Sequence, residues 1–271
     1  MRLPSLACSA LQGDPAAAEG VTDAWRWLYA AAHLLDSVED DELIPASLGG
    51  TGRAINSACG LIFSSELRLS ALEKTLVPAA AAADIRLTFN HSLLTMCAGQ
   101  EACLKPGVPN LAAAWQIADA KSGEFFSAGC YAGARLATSS IPVLAGFREF
   151  GFILGRLLQL GDDLKDLWTN EKGQSDLADG RWSLPIAYAL EVLPKTEKAR
   201  LRELLHAGGD AAGEEEARRL VLSSGAATYL TLEAASLRIR GKRILSDKCA
   251  PSDAREALLG LLESCGLPPQ K

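Results

Sequence analysis

Hydrophobic residues recur every three to four positions through most of the chain, which is the spacing of one face of an α-helix. No stretch shows the sustained alternation of apolar and polar residues, bounded by turn pairs, that is typical of a β-strand. The pattern therefore predicts an all-α fold, with helices of roughly 15 to 25 residues. We expect a single domain covering residues 1–271.

Proline and glycine residues mark where the predicted helices begin and end. The predicted breaks are Gly13–Pro15, Pro45–Gly52, Pro78, Lys105–Pro109, Ile141–Pro142, Thr169–Gly180, Pro194 and Gly208–Gly209. One predicted helix begins around Thr22, and another starts in the alanine-rich run at Ala79 and continues to Met96. The C-terminal tail from Leu267 is expected to fray.

Composition and charge narrow the classes of function. The net charge of −6 argues against DNA or RNA as a partner, because a nucleic-acid-binding face needs basic residues to neutralise phosphates. The seven cysteines form no CxxC pair, so we expect reduced thiols in a cytoplasmic protein. The sequence has neither a signal peptide nor a run of about 18 apolar residues, so no transmembrane segment is expected.

Two acidic clusters each lie near the C-terminal end of a predicted apolar helix. In the first cluster, Asp36 and Asp40 are four residues apart, so their carboxylates share one helix face about one turn (~5.4 Å) apart. In the second cluster, Asp162 and Asp166 have the same spacing, and Asp163 lies beside them. Two oxygen ligands at this spacing can hold a hard cation between them.

Helix electrostatics favour a bound cation at both clusters. Carboxylates near a helix C-terminus oppose the helix dipole, at a cost of ~0.3–1 kcal/mol each. The alternative for either cluster alone is a solvated acidic face. Mg²⁺ takes oxygen ligands, keeps several waters and is usually completed by substrate phosphates. The two clusters together therefore predict a diphosphate bridged by Mg²⁺ to both helices.

Five short motifs occur in a fixed order over roughly residues 1–190. They are the DSxxD motif Asp36–Asp40, the Gly-Gln pair Gly99–Gln100, the stretch Lys121–Gly123, the DDxxD motif Asp162–Asp166, and Gly180–Pro185. In this order they resemble the trans-isoprenyl diphosphate synthases of the polyprenyl synthetase family. The resemblance implies the class I isoprenoid synthase fold, with helices around a central cavity, and a homodimer. It also implies an enzyme that binds three Mg²⁺ ions around an allylic prenyl diphosphate.

The same resemblance assigns roles to individual residues. The implied metal ligands are Asp36, Asp40, Asp162, Asp163 and Asp166. Lys121 is implied to supply positive charge to the leaving group as the carbon–oxygen bond breaks, and it joins Asp36, Asp40 and Asp162 as a catalytic residue. The other implied substrate contacts are Gln100, Ser122, Gln159, Lys172 and Arg181. After about residue 195 no residue is assigned a functional role.

The chain departs from the family pattern where isopentenyl diphosphate, the second substrate, should bind. Ser37 replaces the second aspartate of the first motif. The family's Gly-Gly-Lys…Arg-Pro segment is not recognisable at Met1–Pro4, Tyr29 stands at a histidine position, and Pro45 and Ala46 replace an arginine pair. Since charge-assisted bonds from lysine and arginine are the strong contacts to phosphate, we expect poor recognition of isopentenyl diphosphate.

Small residues near the first motif bear on the length of the prenyl chain. Ala31 and Ala32 lie five and four residues before Asp36 and are expected to point down the bore. By the resemblance, small side chains here leave room for about a farnesyl or geranylgeranyl chain. The candidate aromatic walls are Trp25, Trp27, Phe125, Phe126 and Phe152.

Three functions remain open from the sequence. The missing cations favour ionisation of an allylic diphosphate followed by cyclisation, or by transfer to an acceptor other than isopentenyl diphosphate. The first alternative is chain elongation with isopentenyl diphosphate, using cations such as Arg2 or Arg53 from shifted positions. The second is a catalytically silent partner subunit. The replacement of an aspartate by Ser37 in the first motif favours this alternative.

Overall fold

The computed structural model describes residues 1–40, 49–75, 77–105, 107–168, 177, 182–207 and 211–266. Within these ranges the chain forms helices joined by turns, and no strand is present. The all-α class predicted from the sequence is confirmed.

Twelve α-helices follow one another in the described part of the chain. They are α1 (Leu3–Ala10), α2 (Glu19–Glu39), α3 (Thr51–Ser70), α4 (Ala79–Cys103), α5 (Leu111–Ala118), α6 (Glu124–Ala137), α7 (Ile141–Trp168), α8 (Leu184–Val192), α9 (Lys195–Ala207), α10 (Ala211–Ser223), α11 (Ala226–Lys248) and α12 (Asp253–Ser264). A 3-10 turn, Ala71–Lys74, follows α3, and a π-helical turn, Asp119–Gly123, joins α5 to α6. Helices α2, α3, α4 and α11 have lengths within the predicted range. Helix α7 is longer, with 28 residues, and the other described helices are shorter.

Local chemistry explains most helix boundaries. Pro78 precedes α4 and Pro194 separates α8 from α9, as predicted, because proline lacks the N–H that a helix interior requires. Asn110 caps α5, since its side chain accepts a hydrogen bond from the Ala113 N–H at 2.9 Å. Helix α2 begins at Glu19, earlier than expected. Helix α4 continues past the predicted end to Cys103, through Gly99, because no proline interrupts this stretch.

Some predicted breaks lie wholly or partly outside the described residues. These are the Pro45–Gly52 loop, the Lys105–Pro109 loop, the Thr169–Gly180 loop and the Gly208–Gly209 pair. The tail from Leu267, which was expected to fray, also lies outside the described residues.

Contacts within the chain separate it into two compact units. The first comprises Met1–Leu94, Phe125–Gly151 and Ile244–Leu259. Its interior includes Trp25, whose indole N–H donates to the Phe125 carbonyl at 3.3 Å. A Cβ atom at Gly129 would lie 2.5 Å from the Trp25 indole nitrogen, so α6 can approach the indole only at a glycine.

The second unit comprises Thr95–Glu124, Phe152–Arg243 and Gly260–Lys271. Its apolar core joins the end of α7 to α8, α9 and α10. Buried residues of this core include Leu167, Ile186, Leu201, Leu205 and Val221. The core therefore anchors the C-terminal end of the helix that carries the second acidic motif. The single domain expected from the sequence stays a prediction.

Membrane and thiol features can be read from the same structure. Over the residues described, none of the helices combines the length and hydropathy of a membrane span.

All seven cysteines are free thiols. Burial raises the pKa of the Cys8 and Cys265 thiols to about 11, so both stay protonated at neutral pH.

Candidate active site

The first acidic motif ends helix α2 in the first unit. Asp36 lies in the last turn of α2, and the Asp40 N–H donates to the Asp36 carbonyl at 2.8 Å. The helical turn therefore continues through Asp40, and the predicted one-turn spacing of the two carboxylates is present. Both residues are partly exposed, so a hydrated cation can reach either carboxylate.

An aromatic cluster lies along α2 on the N-terminal side of this motif. Tyr29 stacks on Trp25 and on Phe125, with ring centroids 5.8 and 5.9 Å apart, and the His33 ring meets Tyr29 edge-on at 4.3 Å. Phe126 packs against the Trp25 ring in a T-shaped arrangement. Tyr29, which stands where the resemblance predicts a histidine, is thus part of an aromatic stack in this chain.

The two alanines predicted to set chain length differ in burial. Ala31 is buried, with 1% of its surface exposed, whereas Ala32 is partly exposed. Both lie on α2 between the aromatic cluster and Asp36.

In the second unit, the π-helical turn carries Lys121 and Ser122. A π-helical turn inserts one extra residue into a helix and is frequent at functional sites. Helix α7 packs closely against this turn, because a Cβ atom at Gly155 would lie 2.3 Å from the Ser122 carbonyl oxygen. The Lys121 ammonium lies 3.9 Å from the Cys103 thiol at the end of α4.

A hydrogen-bonded chain joins Ser122 to the second acidic motif. The Ser122 hydroxyl donates to Gln159 Oε1 at 3.0 Å, and Gln159 Nε2 donates to Asp163 Oδ1 at 2.8 Å. The Leu184 N–H, within the Gly180–Pro185 motif, donates to Asp163 Oδ2 at 2.8 Å. Three motifs that are far apart in sequence therefore meet at one buried carboxylate.

The three aspartates of the second motif occupy different environments. Asp162 is exposed and Asp166 is partly exposed, whereas Asp163 is buried with 6% of its surface accessible. Burial raises the pKa of Asp163 to about 6, against the lowering effect of the hydrogen bonds from Leu184 and Gln159. This geometry favours a positioning role for Asp163, because both of its oxygens already accept protein hydrogen bonds.

The Gly-Gln pair brings α4 close to the π-helical turn. A Cβ atom at Gly99 would lie 2.7 Å from Ala120 Cβ, so only glycine allows this approach. Among the described residues, neither the Oε1 nor the Nε2 atom of buried Gln100 has a hydrogen-bond partner. One turn later, the Cys103 carbonyl accepts a hydrogen bond from the Trp182 indole at 3.4 Å. The side-chain amide of Gln100 therefore has two buried polar atoms that no described residue satisfies.

The carboxylates fit Mg²⁺ in the way that the ion is usually bound. No group of three or more His, Cys, Asp or Glu side chains forms a ready-made metal site within the described ranges. Mg²⁺ is typically held by one or two carboxylates, several waters and substrate phosphates. The accessible pairs Asp36/Asp40 and Asp162/Asp166 supply such partial ligand sets, and the unsatisfied Gln100 amide fits a polar ligand.

Two predicted substrate contacts, Lys172 and Arg181, lie outside the described residues. Of the remaining predicted residues, the hydrogen bonds bring Ser122, Gln159 and Asp163 together.

Sequence reasoning missed two arginines next to the site. Arg156 forms a two-point ion pair with Asp119 at the start of the π-helical turn. Arg218 on α10 is buried and donates to the carbonyls of Asp166 and Leu167, where α7 ends. A cation at this position offsets the helix dipole and the nearby carboxylates. In the sequence, one feature could have pointed to Arg156, namely its position three residues before Gln159. No sequence feature pointed to Arg218.

Comparisons with known proteins agree with this arrangement. A short chain isoprenyl diphosphate synthase from Methanothermobacter thermautotrophicus is 27% identical over 94% of this chain and 81% of its own length. A geranylgeranyl pyrophosphate synthetase from Pyrococcus horikoshii superposes with a TM-score of 0.86 at 20% identity, covering 97% of this chain and 84% of that one. A polyprenyl synthase from Caulobacter crescentus, complexed with calcium and isoprenyl diphosphate, gives 0.83 at 22% identity, over 97% and 83% of the two chains.

The family is shown by a match over most of the chain. The sequence model of the polyprenyl synthetase family matches residues 5–221, which include both acidic motifs, the π-helical turn and the Gly180–Pro185 motif. The chain therefore belongs to the polyprenyl synthetase family of Mg²⁺-dependent prenyl-transferring enzymes, as the motifs predicted.

Proposed function

We propose that the enzyme ionises a short allylic prenyl diphosphate and joins the resulting cation to isopentenyl diphosphate, so that the prenyl chain grows. The observation that carries the proposal is the hydrogen-bonded chain Ser122–Gln159–Asp163–Leu184, which joins the motifs expected at the diphosphate end. The named relatives are isoprenyl diphosphate synthases, which favours elongation over cyclisation. This reverses the order of preference reached from the sequence.

Different residues serve the ionisation of the diphosphate and the positioning of the groups that assist it. The Mg²⁺ ions, three by the resemblance, would be held by Asp36, Asp40, Asp162 and Asp166. They would neutralise the charge of the diphosphate and promote its departure. Lys121 donates a charge-assisted hydrogen bond to the leaving diphosphate as the carbon–oxygen bond breaks. The double bond of the acceptor then forms a bond to the allylic carbon. The cation left on the acceptor loses a proton to the released diphosphate, which restores a double bond. Asp163 holds Gln159 and, through it, Ser122 in place for this step.

The aromatic cluster supports a short product. Trp25 lies on the far side of Ala31 from Asp36 along α2, and Phe125 of α6 stacks on the Trp25 ring. Both rings are almost completely buried. A prenyl chain that passes the small Ala31 and Ala32 would meet these large rings. We therefore propose a product of about farnesyl to geranylgeranyl length.

The aromatic side chain of Tyr29 favours a second candidate function, in which isopentenyl diphosphate is not the acceptor. In its stack on Trp25 and Phe125 it presents an aromatic face, 40% exposed, instead of a cation for a second diphosphate. If isopentenyl diphosphate is not bound, the allylic cation would be cyclised and quenched, or passed to an acceptor without a diphosphate.

Product analysis separates the candidates. We expect incubation with geranyl, farnesyl and geranylgeranyl diphosphates and Mg²⁺ to give longer diphosphates only when isopentenyl diphosphate is added, as seen by mass spectrometry. Hydrocarbons or alcohols formed without isopentenyl diphosphate would support the second candidate. No product in any incubation would identify a silent subunit.

We also propose that the enzyme is a homodimer that buries an apolar face of α3 and α4. Ile55, Phe63 and Leu67 follow one side of α3, and Phe63 and Leu67 are 70% and 73% exposed. Leu87 and Leu94 are similarly exposed on α4. Apolar residues are distributed around several faces of α4 together with polar ones, so packing against one neighbour leaves some of the apolar side chains exposed.

A charged residue on this face should prevent dimerisation. We expect Phe63→Glu to shift the protein from dimer to monomer in analytical ultracentrifugation, because an uncompensated carboxylate would be buried. Leu232→Glu, on the exposed side of α11, is the matched control and should leave the dimer intact. A dimeric Phe63→Glu protein would place the interface elsewhere.

A further inference from the structure

Arg156 and Asp119 form a two-point ion pair behind the Lys121 segment. Arg156 Nε lies 2.5 Å from Asp119 Oδ1, and its terminal nitrogen lies 2.6 Å from Oδ2. Both side chains are about three-quarters buried, so water screens the pair only weakly. Two parallel charge-assisted bonds fix direction as well as distance.

Helix α7 holds both ends of the π-helical turn, one through the Arg156–Asp119 pair and the other through Phe152. Asp119 is the first residue of the turn, and Lys121 and Ser122 follow within it. At its far end, Gly123 packs against the Phe152 ring, where a Cβ atom would lie 2.9 Å from the ring carbon. Because a π-helical turn is less favourable than continuous α-helix, contacts on both sides are needed to maintain it.

Aromatic rings fix the plane of the Arg156 guanidinium. It lies 5.1 Å from the Trp115 ring centroid and 5.3 Å from that of Phe152. The Trp115 indole N–H donates to the Tyr229 hydroxyl at 3.1 Å, so the ring is held by α11 as well. Lysine has neither the planar fork nor the stacking surface, and it could not reproduce this arrangement.

We propose that Arg156 and Asp119 are positioning residues, which set Lys121 and Ser122 for the departing diphosphate. The inference rests on the proposed function, because it assigns the pair an effect on diphosphate departure. Arg156 is one turn before Gln159 on α7, so the same helix holds the π-helical turn at both Asp119 and Ser122. Loosening the pair would displace the lysine from the developing charge, which lowers kcat more than it raises KM.

Arg156→Lys tests the proposal, with Arg200→Lys as the matched control. Arg200 makes the same two-point pair with Glu216, at 2.8 and 2.6 Å, on the exposed surface of α9 and α10. We expect Arg156→Lys to lower kcat for pyrophosphate release by about 10- to 100-fold with little change in KM. Arg200→Lys should leave kcat unchanged. An equal loss in both variants would overturn the proposal.

A double-mutant cycle shows whether Arg156 acts through Lys121. In a Lys121→Ala background, Arg156→Lys should lower kcat by less than about threefold, because the group that it positions is gone. Additive losses would mean that Arg156 acts by another route. Asp119→Asn, which keeps the side-chain shape, repeats the cycle if Arg156→Lys does not fold.

Pyrophosphate binding separates this inference from the proposed function. If the wild type releases no pyrophosphate from any allylic diphosphate, the proposed function fails. The same cycle is then measured as the affinity for inorganic pyrophosphate with Mg²⁺, by calorimetry. Non-additive losses for Arg156→Lys and Lys121→Ala support the positioning role. Additive losses, or no binding by the wild type, reject it.

Discussion

Asp162→Ala should lower kcat for Mg²⁺-dependent pyrophosphate release by about 10²- to 10³-fold, because it removes an oxygen ligand from the metal that stabilises the leaving group. Asp162 is exposed and lies two turns before the end of α7. Asp36→Ala should have a similar effect from α2. The measurement is initial rate against Mg²⁺ concentration with farnesyl or geranyl diphosphate.

The metal dependence distinguishes a lost ligand from a damaged fold. We expect both variants to need more Mg²⁺ for half-maximal rate, since each retains only part of its ligand set. Without metal, Asp162→Ala should be as stable as the wild type or more stable by about 0.3–1 kcal/mol, because a carboxylate opposing the helix dipole is removed.

Asp23→Ala is the matched control on α2. Asp23 pairs with Arg68 at 3.1 Å on the surface, and such pairs contribute little to stability. Its loss should change neither the rate nor the Mg²⁺ dependence. An Asp162→Ala enzyme with wild-type rate and wild-type Mg²⁺ dependence would remove Asp162 from the metal site.

The fold was predictable because helix boundaries depend on local chemistry. Pro78 and Pro194 end up between helices, since proline interrupts the hydrogen-bond ladder wherever it occurs. The π-helical turn at Lys121 was not predicted. Its sequence, Asp119–Gly123, carries no local pattern that distinguishes a π-helical turn from an α-helix. The turn depends on contacts with α7, which is distant in sequence.

The functional roles of the candidate site residues stay predictions, whereas the proximity of three of these residues can be compared with the structure. The order of motifs identified Ser122, Gln159 and Asp163, and the hydrogen bonds join all three. The adjacent aspartates were assigned the same role by resemblance, yet neighbouring positions on an α-helix point about 100° apart. That rotation turns Asp163 into the protein while Asp162 faces solvent.

Arg218 shows why the remaining contacts were missed. It lies 52 residues after Asp166, in a region where the sequence offered no motif. Its role depends on the packing of α10 against the end of α7, and no local pattern reports such packing. Long-range contacts of this kind need the folded structure.

Asp163→Ala should destabilise the protein by about 1–3 kcal/mol and should also slow the reaction. The substitution leaves the Leu184 N–H and the Gln159 amide without their shared acceptor, and buried donors without partners carry this cost. Ser122 then loses its fixed partner, since Gln159 is free to rotate. Urea unfolding gives the stability, and pyrophosphate release gives the rate.

The pH dependence of stability tests the burial of the Asp163 carboxyl group directly. Its pKa is about 6 in the folded protein and near 3.8 in the unfolded chain, so between these values only the folded protein binds the proton. Stability of the metal-free protein should therefore fall as the pH rises from about 4 to about 6, by about 3 kcal/mol from this group.

Asp163→Asn removes the titration while keeping the side-chain shape. Unfolding by urea, in a chelator and at several pH values, should show a smaller pH-dependent loss of stability in Asp163→Asn than in the wild type. Asp162→Asn, one residue away and exposed, should keep most of the wild-type pH dependence, because burial raises the pKa of Asp163 more than the Asp162 charge does. If Asp163→Asn also keeps it, the carboxylate is ionised in the folded protein. Asp163 would then be free to serve as a metal ligand after all.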